Sequence, residues 1–254
     1  MLLRAELFPP HLVHGFSTRL GGVSQGRFAS MNLGGRWGDT PEAVAENLRL
    51  LALAGGYDPE ALVRVRQVHG SEIVAAHDVG PETEADAIWQ HIDHSPAGPP
   101  VLGTMTADCV PVLLVDRQGT VAAAIHSGWR GTVADIAGRA ARVLTEQGGV
   151  RASDLFAAIG PCIEVEAFEV GEEVAAQFED RFVSRQGRPK PHVDLVACVH
   201  AQLEAAGLPQ NQIERVGGCT HACPDRYFSY RRDGAGIGQQ LSFVSLAQRR
   251  PASS

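Results

Sequence analysis

Lysine is nearly missing from this sequence: Lys190 is the only one, and arginine supplies every other cationic side chain. With 22 Lys and Arg against 29 Asp and Glu, the formal charge is -7. No global basic field therefore draws the chain onto nucleic acid or an anionic membrane, and a small-molecule partner is the expectation. Long apolar runs are lacking too. None approaches the ~18 residues that span a bilayer, and the opening MLLRAELFPP has no extended apolar core of the kind an export signal carries, so a cytoplasmic protein is expected. The cysteines, Cys109, Cys162, Cys198, Cys219 and Cys223, are odd in number. In a long chain without an export signal that argues against a disulfide framework and leaves reduced thiols for metal binding or catalysis. Neither an internal repeat nor a low-complexity linker divides the 254 residues, and at 44% hydrophobic content the chain is read as one domain over residues 1–254. Nothing in the sequence speaks to oligomeric state.

What is present gives several local signals. Thr40-Pro41-Glu42 reads as cap, first-turn proline and first-turn acid, and Gly55-Gly56 stops the apolar run between them, so a helix is predicted. Leu62 to Val68 alternates apolar with polar and predicts a half-buried strand ending at His69. Val110–Val115 and Val121–Ile125 predict a strand pair joined by the turn DRQG. The stretch from Gly131 to Gln147, EEVAAQFEDRF and VDLVACVHAQLEAAG predict helices, while LFAAIG, Ile213–Val216 and Leu241–Leu246 predict strands. Strands and helices intermix without strict alternation, so the expected fold class is α/β, or α+β, with mixed sheets flanked by helices. Pro81 to Pro100 is read as a surface loop carrying a solvated pair, His91 and His94.

The most informative segment is TADCVPVLLVDRQGTVAAAIHSGWRGT, residues 106–132. A two-residue turn centred between Arg117 and Gln118 sets Cys109 directly opposite His126, with Cβ atoms ~5 Å apart, close enough for two ligands of one metal. A type I turn with Gly119 as a bulge slips the register by one residue and puts Cys109 on the other face, unless the strand has already ended. The pair also reads as a nucleophile and its base. Asp108, however, would point to the opposite face of a strand and orient the histidine poorly, which weakens a cysteine-hydrolase reading. A third ligand would favour zinc, and His69 is a candidate that spacing alone does not establish. Two histidines and a thiolate leave a fourth tetrahedral position for water, the pattern of a catalytic zinc. Taken singly, each of the three reads as structural before catalytic, since free cysteines are commonly buried as small hydrophobes.

The flanks of these residues carry a resemblance. The segments HGFSTRLGGVSQ (14–25), SMNLGG (30–35), QVHG (67–70), TADCVPVLL (106–114), IHSGWRGT (125–132), IGPCI (159–163) with FEVG (168–171), and CT (219–220) followed by FSYRRDG (228–234) stand in one order along the chain. Together they resemble the laccase-domain family, also called multicopper polyphenol oxidoreductase-like, whose bacterial members are described as purine nucleoside phosphorylases with adenosine deaminase activity. The resemblance implies a zinc ion, with copper as an alternative, held by His69, Cys109 and His126 in a mixed α/β domain. It also brings conflicting activities, since the family is credited with copper-dependent oxidation of phenols and one bacterial branch is named for editing peptidoglycan precursors. Where the family usually carries an arginine after SYRRDG, this chain has Gln239.

The reading that follows is a zinc-dependent enzyme acting on purine nucleosides, by phosphorolysis of adenosine or inosine and deamination of adenosine, with nucleoside and phosphate as partners. The alternatives are a copper-dependent polyphenol oxidoreductase and an amidase that edits peptidoglycan precursors. His69, Cys109 and His126 are the expected catalytic centre. Asp108 is the candidate for proton transfer or for support of the ligands. Arg19, Asn32, Arg231 and Arg232 are the candidate substrate contacts. Trp129 and Arg130 open a predicted helix whose N-terminus would favour an anion, and Cys219, His221 and Cys223 read as a strand end followed by a loop.

Overall fold

The computed structural model describes residues 1–95 and 98–248. In chain order β1 (Leu2–Leu3) and β2 (Leu12–Ser17) precede α1 (Pro41–Gly55). The chain continues through β3 (Leu62–Val63), β4 (Ile73–Ala75), β5 (Ala87–His91), β6 (Val101–Thr106), β7 (Val110–Asp116) and β8 (Val121–Ser127). The second half holds α2 (Trp129–Val133), α3 (Ile136–Glu146), β9 (Leu155–Ile159), α4 (Glu172–Ala175), β10 (Val183–Ser184) and β11 (His192–Val193). It ends with α5 (Leu195–Ala205), β12 (Ile213–Arg215), α6 (Tyr230–Asp233) and β13 (Gln240–Gln248). No helix among the described residues is long and apolar enough to cross a membrane.

The strands form two mixed sheets, ordered β1-β2-β13-β6-β3 and β12-β9-β7-β8-β5-β4, plus the pair β10-β11. This is the mixed α/β class expected. Strand alternation builds the layers: Ile125, Ala123, Val112 and Leu114 face α3 and α5, while Ala122, Ala124, Leu113 and Val115 face the first sheet together with Phe16 and Val244. The far side of the first sheet, through Val13, Val101 and Phe243, packs on Leu51 and Ala52 of α1. Each fully buried aliphatic or aromatic side chain here contributes ~1.5–3 kcal/mol relative to exposure, so the sandwich of two sheets is the main store of stability.

The first helix forms as read, with Thr40 accepting from the Ala43 N–H and Gly56 ending it in a left-handed conformation at φ 78°. Four expectations are corrected. The strand over Leu62–Val68 is interrupted: it pairs as β3 and then only at an isolated parallel bridge between Arg66 and Glu84, and next to that bridge the Gln67 side-chain amide exchanges both hydrogen bonds with the Met105 backbone at 2.8 Å. The helix over Gly131–Gln147 is broken between α2 and α3 by Asp135 at φ 58°. EEVAAQFEDRF makes only the short α4, because the Gln177 and Phe178 N–H groups tighten onto the carbonyls three residues back. Pro81–Pro100 is no continuous loop, since β5 runs through it, buried between β8 and β4 with Ile88 toward the first sheet and Trp89 toward the helices. Residues 96 and 97 of that stretch lie outside the described residues.

The DRQG turn fixes how β7 meets β8. Asp116 is buried, and its carboxylate accepts the N–H groups of Gln118, Thr120 and Val121 and the Thr120 hydroxyl. Gly119 takes φ 72°, beside the Leu12 side chain. Asp116→Ala should therefore destabilise the protein by ~2–4 kcal/mol, since it strands several donors at once. Urea unfolding reads this directly, and a loss below ~0.5 kcal/mol would mean the carboxylate does not hold the turn.

Candidate active site

β7 and β8 pair with Pro111 opposite His126 and Val110 opposite Ser127. Neither the direct Cys109–His126 pairing nor the one-residue slip read from the sequence occurs: the register is two residues away from the direct one. A slip of two restores side-chain parity, so position 109 still belongs to the face of His126, one step along the diagonal. Cys109 itself lies just before β7, where Asp108 at φ 97° has already ended the extended chain. His126 follows Ala122 and Ala124 on the side of β8 that faces the first sheet, at the strand end where the two sheets part.

The third member of the group comes from the loop after β3. His69 has φ 58°, its N–H donates to Asp86 Oδ1 at 3.1 Å, and the Gly70 N–H donates to Asp86 Oδ2 at 2.6 Å. The same Oδ1 lies 2.7 Å from His126 Nδ1, and the His126 N–H donates to the Asp86 carbonyl at 2.7 Å. Asp86 thus places both histidines and, accepting the Nδ1 proton, leaves His126 Nε2 for a ligand, the usual carboxylate–histidine support of a metal site. The donor atoms of His69, Cys109 and His126 lie within 4.8 Å of one another, and the two imidazoles meet edge-on at 4.8 Å between centroids. Gly128 closes the cluster from behind: a Cβ there would stand 3.1 Å from His69 Nδ1 and 3.3 Å from Cys109 Sγ.

Electrostatics fit a cation-binding cluster. Burial pushes the Cys109 thiol up, but the charge of His126 and hydrogen bonds from both histidines outweigh it and bring the thiol down to about 6. Burial likewise disfavours the His126 cation, and the Cys109 thiolate with the Asp86 carboxylate overrides it, lifting that imidazole to about 9. For Asp86 burial opposes ionisation, and the His126 contact with two backbone N–H groups holds the carboxyl below its ordinary range. Without metal the pair is therefore thiolate and imidazolium at neutral pH. Two nitrogens and a thiolate, open on one side, suit zinc or copper.

The cluster forms the floor of an open cavity of about 980 Å³, whose walls include Arg36, Trp37, Arg66, Trp129, Tyr230 and Arg231. Of the other sequence candidates, Arg231 and Gln239 line this cavity, as does Asp108. The Asp108 carboxylate is committed on both oxygens, to the Thr220 hydroxyl and the Arg231 N–H, each at 2.6 Å. Arg19 spends its guanidinium on the carbonyls of Ala29 and Pro224 and stacks over Phe228. Asn32, fully buried, bonds Gly34, Asp39 and the Gln239 N–H. Arg232 holds the carbonyls of Thr220, His221 and Tyr227 and the Asp233 carboxylate. These three are not among the cavity walls. Trp129 faces the cavity with Arg130 over its ring at 4.2 Å, and Cys219 pairs by backbone with Cys162 in an isolated bridge beyond the end of β12. Sequence reading missed Asp86, Gln67, Trp37 and Tyr230. Gln67 and Tyr230 stand within QVHG and FSYRRDG, segments that carried the resemblance, yet no role was read for them, and nothing local marked Asp86 or Trp37.

Comparisons with known proteins converge on this chain from several sides. The family described as multi-copper polyphenol oxidoreductase laccase matches residues 13–247. A Deinococcus radiodurans protein named purine nucleoside phosphorylase is 38% identical over 256 residues, covering 98% of this chain and 94% of its own. The Escherichia coli protein named purine nucleoside phosphorylase YfiH is 35% identical over 234 residues, with 91% and 92% covered. The crystal structure of YlmD from Geobacillus stearothermophilus superposes with a TM-score of 0.84 at 29% identity, covering 97% of this chain and 94% of that one.

Two outcomes follow from the geometry. Asp86→Asn should weaken zinc affinity by roughly 10–100-fold while leaving the fold intact, read by competition with a chromogenic chelator. In metal-free protein, alkylation of Cys109 by iodoacetamide, followed by peptide mass spectrometry, should rise with a midpoint near pH 6 and be suppressed by zinc. A midpoint above roughly pH 8, the range of an ordinary thiol, would remove the thiolate–imidazolium pair.

Proposed function

The chain belongs to the multi-copper polyphenol oxidoreductase laccase family, and from that premise we propose that it is a zinc-dependent enzyme acting on purine nucleosides, by phosphorolysis of adenosine or inosine and by deamination of adenosine. The carrying observation is the one-sided His69–Cys109–His126 cluster on the floor of a cavity walled by aromatic rings and arginines. Relatives named purine nucleoside phosphorylase support the substrate class.

Zinc held by His69, Cys109 and His126 would supply a Lewis acid and an activated water. The remaining work falls to the protein. Asp86 holds the proton at His126 Nδ1 and sets the ring toward the cavity. Trp37 and Tyr230, 6.4 Å apart between centroids, offer flat apolar faces on which a purine base can stack. Arg36, Arg66 and Arg231 line the same space; Arg66 is ion-paired with Glu84 and Arg231 Nη1 donates to the Ala167 and Glu169 carbonyls, so a phosphate would be met by their remaining N–H groups and by Arg36. In phosphorolysis a phosphate oxygen bonds to C1′ of the ribose, the bond from C1′ to the base nitrogen breaks, and the base leaves with the electron pair and takes up a proton. Asp108, with both oxygens occupied, acts here by positioning Arg231 rather than by moving protons.

The cluster offers three donors to one ion, whereas a multicopper centre needs many histidines around several ions; that difference ranks phenol oxidation second, and amide hydrolysis third. Metal-defined protein incubated with adenosine and inosine, with and without phosphate, should release free base only when phosphate is present, and ammonia from adenosine, both by chromatography. Stoichiometric zinc with neither product sinks this reading. Oxygen uptake with a phenol under copper, or cleavage of a muropeptide amide, would then identify which alternative holds.

A further inference from the structure

We propose, resting on the purine-nucleoside reading above, that Gln239 recognises the six-membered edge of the base and lets the cavity accept 6-amino and 6-oxo purines alike. Several polar side chains of the cavity wall are already spent on the protein itself. Asp108 holds Thr220 and Arg231, Arg66 pairs with Glu84, and of the two wall carboxamides among the described residues Gln67 exchanges both its bonds with the Met105 backbone. The other belongs to Gln239, which is half-buried and lines the same cavity. Its carboxamide bonds to none of the described residues, so a planar donor and acceptor, side by side, are left for a ligand.

The Gln239 backbone, by contrast, is fixed on both sides. Its N–H donates to Asn32 Oδ1 at 3.0 Å and its carbonyl accepts the Leu33 N–H at 3.2 Å, while the buried Asn32 side chain also bonds the Gly34 N–H and carbonyl. The carboxamide oxygen lies against Gly34, where a Cβ would stand 2.3 Å from it. Three residues further on, Trp37 meets Tyr230 in the cavity wall, so the ring on which a base would stack and the amide that reads its edge belong to one corner, joined through Asn32. Adenine presents an amino donor at C6 beside the acceptor N1, and hypoxanthine a carbonyl acceptor at C6 beside the donor N1–H. These two patterns are each other's reverse, and a carboxamide meets either one after a half-turn about its last bond. For Gln239 the half-turn breaks no hydrogen bond with the described residues. A guanidinium, which only donates, would instead select the oxo-purine, as arginine does in pairing with guanine where glutamine pairs with adenine.

Initial rates of base release by the zinc-loaded protein in phosphate, resolved by chromatography with adenine counted apart from hypoxanthine, give kcat/KM for adenosine, inosine and purine riboside, which lacks the group at C6. Gln239→Leu should lower the preference for inosine over purine riboside by ~3–10-fold, the worth of about one hydrogen bond, and leave the zinc content unchanged. Gln239→Arg should raise the preference for inosine over adenosine by roughly 10-fold. Base release by the wild type with either preference unmoved in its variant overturns the role of Gln239 and leaves the purine-nucleoside reading standing. No release from any of the three nucleosides overturns both.

Discussion

One buried carboxylate ties the site together. Asp86 sits at the junction of β5 and the preceding loop and bonds the His69 and Gly70 N–H groups through its side chain, the His126 ring through Oδ1 and the His126 N–H through its carbonyl. Two histidines that lie far apart in sequence are thereby referred to the same atom. A buried carboxylate is costly unless paired, and here the partners are the groups whose positions matter. The charge that makes Asp86 expensive to bury is also what keeps His126 turned and protonated on the nitrogen away from the cavity.

The sheets supply the frame in which that carboxylate works. β8 presents Ala122 and Ala124 to the first sheet, small side chains that let the two sheets approach closely, and His126 is the next residue of that stripe, where the sheets separate and the cavity begins. The identity of the turn at Asp116 is felt at the other end of the hairpin. A register shifted by one residue would turn His126 toward α3 and α5, where Ile125 now packs; a shift of two changes its neighbour yet keeps its face. The site tolerates an error in loop length only in steps of a whole pleat.

This is why the sequence was readable in some places and not in others. The α1 caps, the β7–β8 hairpin and α5 are local features, determined by residues within one helical turn or one strand, and they formed where their patterns put them. Cys109 and His126 come together although the register differs from the one inferred, because the difference is two residues, which keeps parity, and Cys109 lies just before β7. Asp86 was not legible because its role depends on β5 lying between β8 and β4, and a stretch dense in Pro, Gly and His conceals that strand. Arg19, Asn32 and Arg232 show the opposite failure. Their types suit substrate contacts, but Arg19 and Asn32 are held in part by Pro224 and Gln239, remote in the chain, and Arg232 by the carbonyls of an irregular turn from Thr220 to Tyr227, and no spacing rule reveals such partners.

Asp108 connects the His–Cys–His floor of the cavity to its C-terminal wall. Its positive φ costs ~1–3 kcal/mol for a non-glycine residue, and the cost is offset by two short hydrogen bonds from Thr220 and Arg231 together with the Ile163 N–H on its carbonyl. Those bonds dock α6, and with it Tyr230 and Arg231, over the cluster. The backbone turn that brings Cys109 toward the histidines is therefore held by the same contacts that place the opposing wall. A segment after residue 220 that came loose would release Asp108 from its strained conformation and Cys109 from its place beside His126. The His–Cys–His cluster and the cavity wall are in this sense one structural unit, assembled from segments far apart in the chain.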